Sequence, residues 1–164
     1  MSKINFFIGP MTKNVVDSVV EFNSFKGGNV AFIPSRRQVS LDGGYVNDWT
    51  TESFRQYVPQ SFICRDHAGP GQGIVDDNGY ESLKNDCKLL DMIHIDPWKK
   101  YSDFDIGVEW TVDMINFCCN EDENVTFEVG TEQAIRYFTV REVETLLKKL
   151  KTKLSSENFN RIKY

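Results

Sequence analysis

The sequence predicts an α/β protein built on a parallel sheet, and three observations support that prediction. Five short apolar runs alternate with five amphipathic stretches along the 164 residues. Apolar residues recur at helical spacing within the amphipathic stretches, and turn-forming residues separate the two kinds of segment. Strict alternation of strand and helix is typical of parallel strands joined by helical crossovers. No linker or shift in composition marks a boundary, so we expect a single domain over residues 1–164.

Glycine residues mark the ends of the first predicted strand and of the first predicted helix. The first predicted strand, residues 4–8, ends at Gly9-Pro10, and Gly27-Gly28 stops the helix that follows it. The second strand, residues 30–33, leads through a long loop to Thr50 or Thr51, either of which can cap a short helix. The turn after the first strand lacks the glycine pattern of a dinucleotide-binding fold. The spacing of the elements is nevertheless compatible with two architectures, an open doubly wound sheet and a barrel.

The remaining three units follow the same order. Their predicted strands cover residues 61–64, 92–95 and 125–129. The fourth helix covers about residues 105–119, with Asp103 available as its cap. The last helix begins with a capping box from Thr139 to Glu142.

Composition excludes several classes of function. A formal net charge of −5 argues against a nucleic-acid-binding protein, which needs a basic face. No apolar run approaches the length that spans a membrane, and the N-terminus is unlike a signal peptide. The four cysteines form no C-x-x-C pair, which argues against a disulfide framework or a zinc ribbon. We therefore expect a cytoplasmic protein that binds neither nucleic acid nor membrane.

Ionisable side chains stand at the carboxyl ends of the last three predicted strands. Alternation places His94 and Asp96 on one face of the fourth strand. By the same rule Asp66 and Glu128 face that side from the third and fifth strands. Such groups are costly to bury unless they meet a ligand, a metal or each other. Active sites of both candidate architectures lie at this end of the sheet.

Structural roles are the alternative interpretation of these residues. His94 can be a hydrogen-bonded core histidine, and Asp66 and Asp96 can cap the helices they precede, whereas Glu128 inside a strand is harder to explain in this way. Together, a histidine and several carboxylates at adjacent strand ends suit a divalent cation. Such a cation polarises a carbonyl while a neighbouring carboxylate moves a proton. This chemistry serves retro-aldol cleavage, and equally sugar epimerisation or isomerisation.

Four short motifs resemble those of one known family. They are residues 38–45 with 50–55 (QVSLDGGY and TTESFR), residues 66–70 (DHAGP), residues 93–96 (IHID) and residues 130–132 (GTE). In this order they resemble the accessory, or Z-type, subunits of class II tagatose-bisphosphate aldolase. The resemblance implies an aldolase-type (β/α)8 barrel, of which this chain would hold about the first five β/α units.

The resemblance also implies roles for individual residues. Asp66 and His67 match a motif in which catalytic relatives place a proton-transferring acid and a metal ligand. Glu128 stands where catalytic aldolases place an acidic residue in the fifth strand, and Asp96 is a further catalytic candidate. The candidate substrate-binding residues are Gln38, His94 and Glu132, which lie in these motifs, and Arg37. The pair Arg36-Arg37 departs from the family pattern; such arginines can bind an anion, and solvated arginines are equally common. The implied cofactor is a divalent metal, namely zinc, with manganese or magnesium as alternatives.

Two functional hypotheses follow. In the first, the protein is a metal-dependent aldolase, epimerase or isomerase of phosphorylated sugars or related carbohydrates. In the second, it is a non-catalytic subunit that stabilises a separate class II aldolase, or it assembles with further copies of itself. Because the chain ends about where a sixth strand is due, we expect it to be the N-terminal part of a longer protein.

Overall fold

Strands and helices alternate through the chain, as the sequence predicts. The structure is a computed structural model that describes residue 4 and residues 6–131 and 136–164. In chain order the elements are β1 (Phe6–Ile8), α1 (Lys13–Lys26), β2 (Val30–Phe32), α2 (Thr51–Tyr57), β3 (Cys64–Ala68), α3 (Tyr80–Leu89), β4 (Met92–Ile95), α4 (Phe104–Glu121), β5 (Thr126–Val129), α5 (Val140–Lys153) and α6 (Ser156–Asn160). The short α6 is the one described helix that the apolar pattern did not predict.

The strands form two parallel sheets. β1 pairs with β2 in one sheet, and the other has the order β3-β4-β5. Two isolated parallel bridges, Phe32 with Ile63 and Ser35 with Asp66, connect the sheets. Pro34 lies between these bridges and has no N–H to donate, which interrupts the hydrogen-bonded ladder there. After α6, Ile162 bridges to Phe127 on the outer side of β5.

The expected (β/α)8 barrel is wrong for this chain. The described residues contain five strands in sheets of two and three, with six helices, and no eight β/α units. A barrel closes only when enough strands tilt and stagger for the first to pair with the last. Here β1 pairs with β2 alone, so no closed ring of strands is present in the described part of the chain. The architecture is an α/β fold with two small parallel sheets.

Local sequence signals placed the helix ends correctly. Gly27 ends α1 in the left-handed conformation, with φ of 61°. Thr50 caps α2 and Asp103 caps α4 through hydrogen bonds to backbone N–H groups. The capping box predicted for α5 is present, with the Thr139 and Glu142 side chains each accepting from the other residue's N–H.

A buried ion pair joins the two halves of the fold. Arg65 of β3 is fully buried and donates two hydrogen bonds, both of 2.8 Å, to the carboxylate of Asp86 on α3. Its other donors reach Thr51 Oγ1 of α2 and, at 2.7 Å, the Val39 carbonyl in the β2–α2 loop. One apolar cluster packs around β1, β2 and α2, and another packs around β3 to β5. Arg65 thus ties the loop, α2 and α3 together where the ladder between the sheets is weakest.

No helix in the described ranges has the length and apolar character needed to cross a membrane.

Candidate functional site

A bulge in β3 brings Asp66 and His67 together. The pairing of β3 with β4 shifts between Arg65 and Ala68, so three steps along β3 match two steps along β4. Neighbouring residues of a regular strand point to opposite faces, but the extra residue of a bulge breaks that alternation. His67 has a φ of 48°, a left-handed conformation that is strained for a residue with a Cβ. As a result, the Asp66 and His67 side chains both turn towards His94 on β4.

The two histidines of the chain meet across β3 and β4. Their ring centroids lie 4.8 Å apart, although 27 positions separate them in sequence. Nδ1 of His94 lies 3.8 Å from Oδ1 of Asp66, and the backbone N–H of His67 approaches it at 3.5 Å. Nε2 of His94 faces Gly130, is buried and has no hydrogen-bond partner among the described residues. The Nδ1 edge of the ring is therefore the one that faces Asp66 and His67.

Three donor atoms form a group of the size that a metal ion needs. One atom each from Asp66, His67 and His94 lie within 4.8 Å of one another. Oδ1 of Asp66 is 3.4 Å from Nε2 of His67. Tetrahedral zinc ligands at about 2.1 Å are separated from each other by about 3.4 Å. The widest separation in this group exceeds that value by up to about 1.4 Å, so the three side chains would have to draw together to bind a divalent metal.

Asp96 lies behind His67 and is fully buried. Its Oδ2 is 2.8 Å from Nδ1 of His67 and accepts a 2.8 Å hydrogen bond from Nε2 of Gln72. Its Oδ1 accepts from the backbone N–H of Trp98 at 3.0 Å. An ionised carboxylate can only accept, so Nδ1 of His67 carries the proton of this contact, and Nε2 points towards Asp66. Through these contacts Asp96 holds the His67 ring, and its expected catalytic role stays a prediction.

The other predicted residues lie at varying distances from this group. Glu128 stands opposite His94 in the β4–β5 register and makes no hydrogen bond or ion pair with any described residue. Gln38 is buried, and its amide is engaged with Ser35 N–H and Met11 sulfur. Arg37 is exposed, with no side-chain hydrogen bond to the described part of the chain. Glu132 lies outside the described residues.

Burial and charge keep one thiol beside the site protonated. Cys64 lies on β3, two residues before Asp66. Burial is the main cause that raises the pKa of this thiol, and the nearby carboxylates of Glu128 and Asp66 raise it further. Cys64 is thus a poor nucleophile.

Sequence reasoning missed Gln72 and the Arg36–Asp77 ion pair. Gln72 lies in the loop after β3, where no strand alternation assigns a direction to a side chain. Arg36 forms a bidentate pair with Asp77, with contacts of 2.6 and 3.0 Å. Hydrogen bonds from Arg36 keep the pKa of Asp77 below its usual value.

Comparisons with known proteins show a likeness of fold. No family model matches the chain, and no curated protein matches it. The chain resembles the crystal structure of a probable tagatose 6 phosphate kinase from Sinorhizobium meliloti 1021 with a TM-score of 0.79 and 13% sequence identity. The match covers 98% of this chain and 48% of that chain, so the chain spans about half the length of that protein. The resemblance to aldolase accessory subunits is not confirmed by these comparisons, whereas a shared α/β fold is shown.

Proposed function

We propose that the chain carries a divalent-metal site of an enzyme that acts on phosphorylated sugars or related carbohydrates by lyase, epimerase or isomerase chemistry. The observation that carries the proposal is the grouping of Asp66, His67 and His94, whose donor atoms lie within 4.8 Å of one another. A strained bulge brings two of them to the third, and strain of this kind is characteristic of functional sites.

The donor set favours some metals over others. Two imidazole nitrogens and one carboxylate suit zinc or manganese better than magnesium, which prefers oxygen ligands and retains water. His67 is oriented for this role because Asp96 accepts from its Nδ1, and Nε2 then points towards Asp66. A zinc or manganese ion is therefore the cofactor that these residues fit best.

The carboxylates around the site divide into separate roles. A bound divalent metal would polarise a substrate carbonyl and stabilise negative charge on its oxygen. Asp66, with 30% of its side chain exposed, reaches solvent and can bind the metal. Glu128 has no described partner and faces the same side of the sheet, so its carboxylate is available to move a proton. Asp96 has all its contacts inside the protein and holds His67 in place.

The class of substrate rests on two likenesses. The motifs around Asp66 and His94 resemble those of proteins associated with tagatose-bisphosphate cleavage. One solved structure with a similar fold is that of a probable tagatose 6 phosphate kinase, and tagatose 6 phosphate is also a phosphorylated ketose. Both likenesses favour a phosphorylated sugar as the ligand.

Metal binding tests the proposal directly. Titration of the metal-free protein with Zn²⁺ or Co²⁺ should show one site per chain, and His67→Ala should lower the affinity by at least about 100-fold, because a ligand is lost. Asp76→Asn removes an exposed carboxylate outside the group and serves as the matched control. Equal affinity in His67→Ala and the wild type would refute the site.

A second set of variants separates metal binding from proton transfer. If Asp66 binds the metal, Asp66→Asn weakens both Zn²⁺ binding and the cleavage of phosphorylated ketoses. If Glu128 moves the proton, Glu128→Gln keeps the Zn²⁺ affinity and lowers turnover by about 10²- to 10⁴-fold. Turnover that survives both substitutions would remove the enzymatic proposal.

An accessory role is the second candidate function, and an apolar surface favours it. A shallow groove of about 480 Å³ lies between α1 and the β1–β2 sheet, and Ile8, Val15 and Phe22 are part of its lining. Nearby Phe25 is 79% exposed. Exposed apolar patches of this kind often mark protein interfaces. In this case a class II aldolase should co-purify with the protein and gain activity from it, and Phe25→Ser should weaken both effects.

A further inference from the structure

We propose that Gln72 is a positioning residue of the metal site, held over Asp96 by the Arg36–Asp77 ion pair so that the Asp96 carboxylate keeps the His67 imidazole aimed at the metal. The inference rests on the proposed metal site. It adds a residue and a loop that neither the sequence motifs nor the comparisons assign.

The contact between Gln72 and Asp96 is specific. Nε2 of Gln72 donates to Oδ2 of Asp96 at 2.8 Å and approaches the Asp96 carbonyl oxygen at 3.4 Å. Oδ2 is the same oxygen that meets Nδ1 of His67. Without Gln72, that oxygen keeps a single polar contact, and the buried carboxylate loses one of its three N–H donors.

An ion pair fixes the loop that carries Gln72. Arg36, in the loop after β2, has a side chain only 9% exposed, and its guanidinium makes a bidentate contact with Asp77. The same guanidinium donates to the Gly69 carbonyl at 3.0 Å. Gly69 and Asp77 bracket Gln72, and Gly71 N–H bonds to the Asp77 carbonyl at 3.1 Å. Both ends of the loop are thus anchored to one buried side chain, which restricts where Gln72 can lie.

The anchoring matters because His67 depends on it. Its backbone is in a strained left-handed conformation, and a ring in that position is held by its contacts. If Asp96 rotates, Nδ1 of His67 loses its acceptor, and the ring is free to exchange tautomers and turn Nε2 away from Asp66. Outer contacts of this kind typically change metal affinity by about 10- to 100-fold.

Substitution of Gln72 by methionine tests the inference, since methionine keeps the length of the side chain and removes the amide donor. Co²⁺ binding to Gln72→Met should be about 10- to 100-fold weaker than to the wild type, with an altered Co²⁺ absorption spectrum. Gln56→Met makes the same change on the exposed face of α2 and should leave both unchanged. Asp77→Asn should weaken binding to a smaller degree, whereas Asp76→Asn in the same loop should not.

A second measurement keeps this inference distinct from the proposed function. In the metal-free protein, ¹⁵N NMR at a pH of about 8.5, where imidazoles are neutral, reports which ring nitrogen carries the proton. We expect His67 to be Nδ1-protonated in the wild type and a mixture of tautomers in Gln72→Met. If the wild type does not bind Co²⁺ but the His67 tautomer still changes in Gln72→Met, the proposed function is overturned and the role of Gln72 stands. The role of Gln72 is overturned if the His67 tautomer is the same in Gln72→Met as in the wild type. It is also overturned if the wild type binds Co²⁺ and Gln72→Met binds it with the same affinity.

Discussion

Gly130 sets the position of His94, and adding a single methyl group there should displace the imidazole. An ideal Cβ on Gly130 would lie 1.7 Å from Nε2 of His94 and 2.6 Å from Cε1. Ordinary Cβ contacts begin at 3.4 Å, so the ring would have to move by about 1.7 Å, the difference between the two distances. Gly130 has no left-handed φ, so alanine fits its backbone and the effect is steric alone. Overpacking of this kind costs about 1–3 kcal/mol of unfolding free energy.

The displacement should cost metal affinity as well as stability. Metal–ligand distances tolerate errors of only about 0.2 Å, so a shift of His94 by about 1.7 Å removes one ligand from the group. We expect Zn²⁺ binding to Gly130→Ala to weaken by at least about 100-fold, as measured by competition with a chromophoric chelator. Gly9→Ala is the matched control, because Gly9 also follows a strand and its added Cβ would meet Gln38 at an ordinary 3.4 Å.

A double-mutant cycle distinguishes this clash from a general loss of stability. With His94→Ala already in place, the ring that Gly130→Ala would strike is absent. The second substitution should then change the midpoint of urea unfolding little. Equal destabilisation in both backgrounds, or unchanged Zn²⁺ affinity in Gly130→Ala, would refute the reasoning.

Three further predictions concern charge and burial elsewhere in the fold. Asp86→Ala leaves the buried Arg65 guanidinium without its carboxylate and should lower the free energy of unfolding by about 3–5 kcal/mol, measured by urea denaturation. Glu142 accepts from the Thr139 backbone N–H, which is the main cause that lowers its pKa from 4.5 to about 2. Because the pKa of Glu142 is lowered in the folded state, its ionised carboxylate stabilises the fold above pH 4.5, and this contribution is lost as the pH falls towards 2. The thermal midpoint of Glu142→Gln should therefore depend less on pH in that window than the midpoint of the wild type. Burial raises the pKa of the Cys64 thiol, so alkylation at pH 8, mapped by mass spectrometry, should label it only after unfolding.

Two of these predictions, those on Asp86 and Cys64, have a comparison within the chain. Asp105→Ala breaks the exposed pair with Lys149 and should cost less than about 1 kcal/mol. If Asp86→Ala also lowered the free energy of unfolding by less than about 1 kcal/mol, the buried Arg65–Asp86 pair would not be important for stability. For the thiols, half-buried Cys119 should be alkylated before Cys64, and rapid labelling of Cys64 in the folded protein would contradict its assigned burial.

The sequence predicted part of the grouping at the strand ends but not the architecture. Period-two alternation predicted that Asp66 and His94 share a face, and Oδ1 of Asp66 lies 3.8 Å from Nδ1 of His94, because the direction of a side chain from a short strand follows from local geometry. The contact of Asp96 with Gln72 comes from another segment, so alternation could not predict it. The bulge at His67 could not be predicted from the sequence either, because a bulge is defined by how β3 pairs with β4.

The sequence by itself determined the order of elements and the helix ends. The threonine and aspartate caps and Gly27 act through backbone groups within a few residues, and amphipathic spacing acts within a single helix. The tertiary structure decided how the strands associate. The break of the ladder beside Pro34, the buried Arg65–Asp86 pair and the meeting of two histidines 27 positions apart depend on contacts between distant segments. A local pattern carries no information on such contacts, which is why the expected barrel is wrong for this chain.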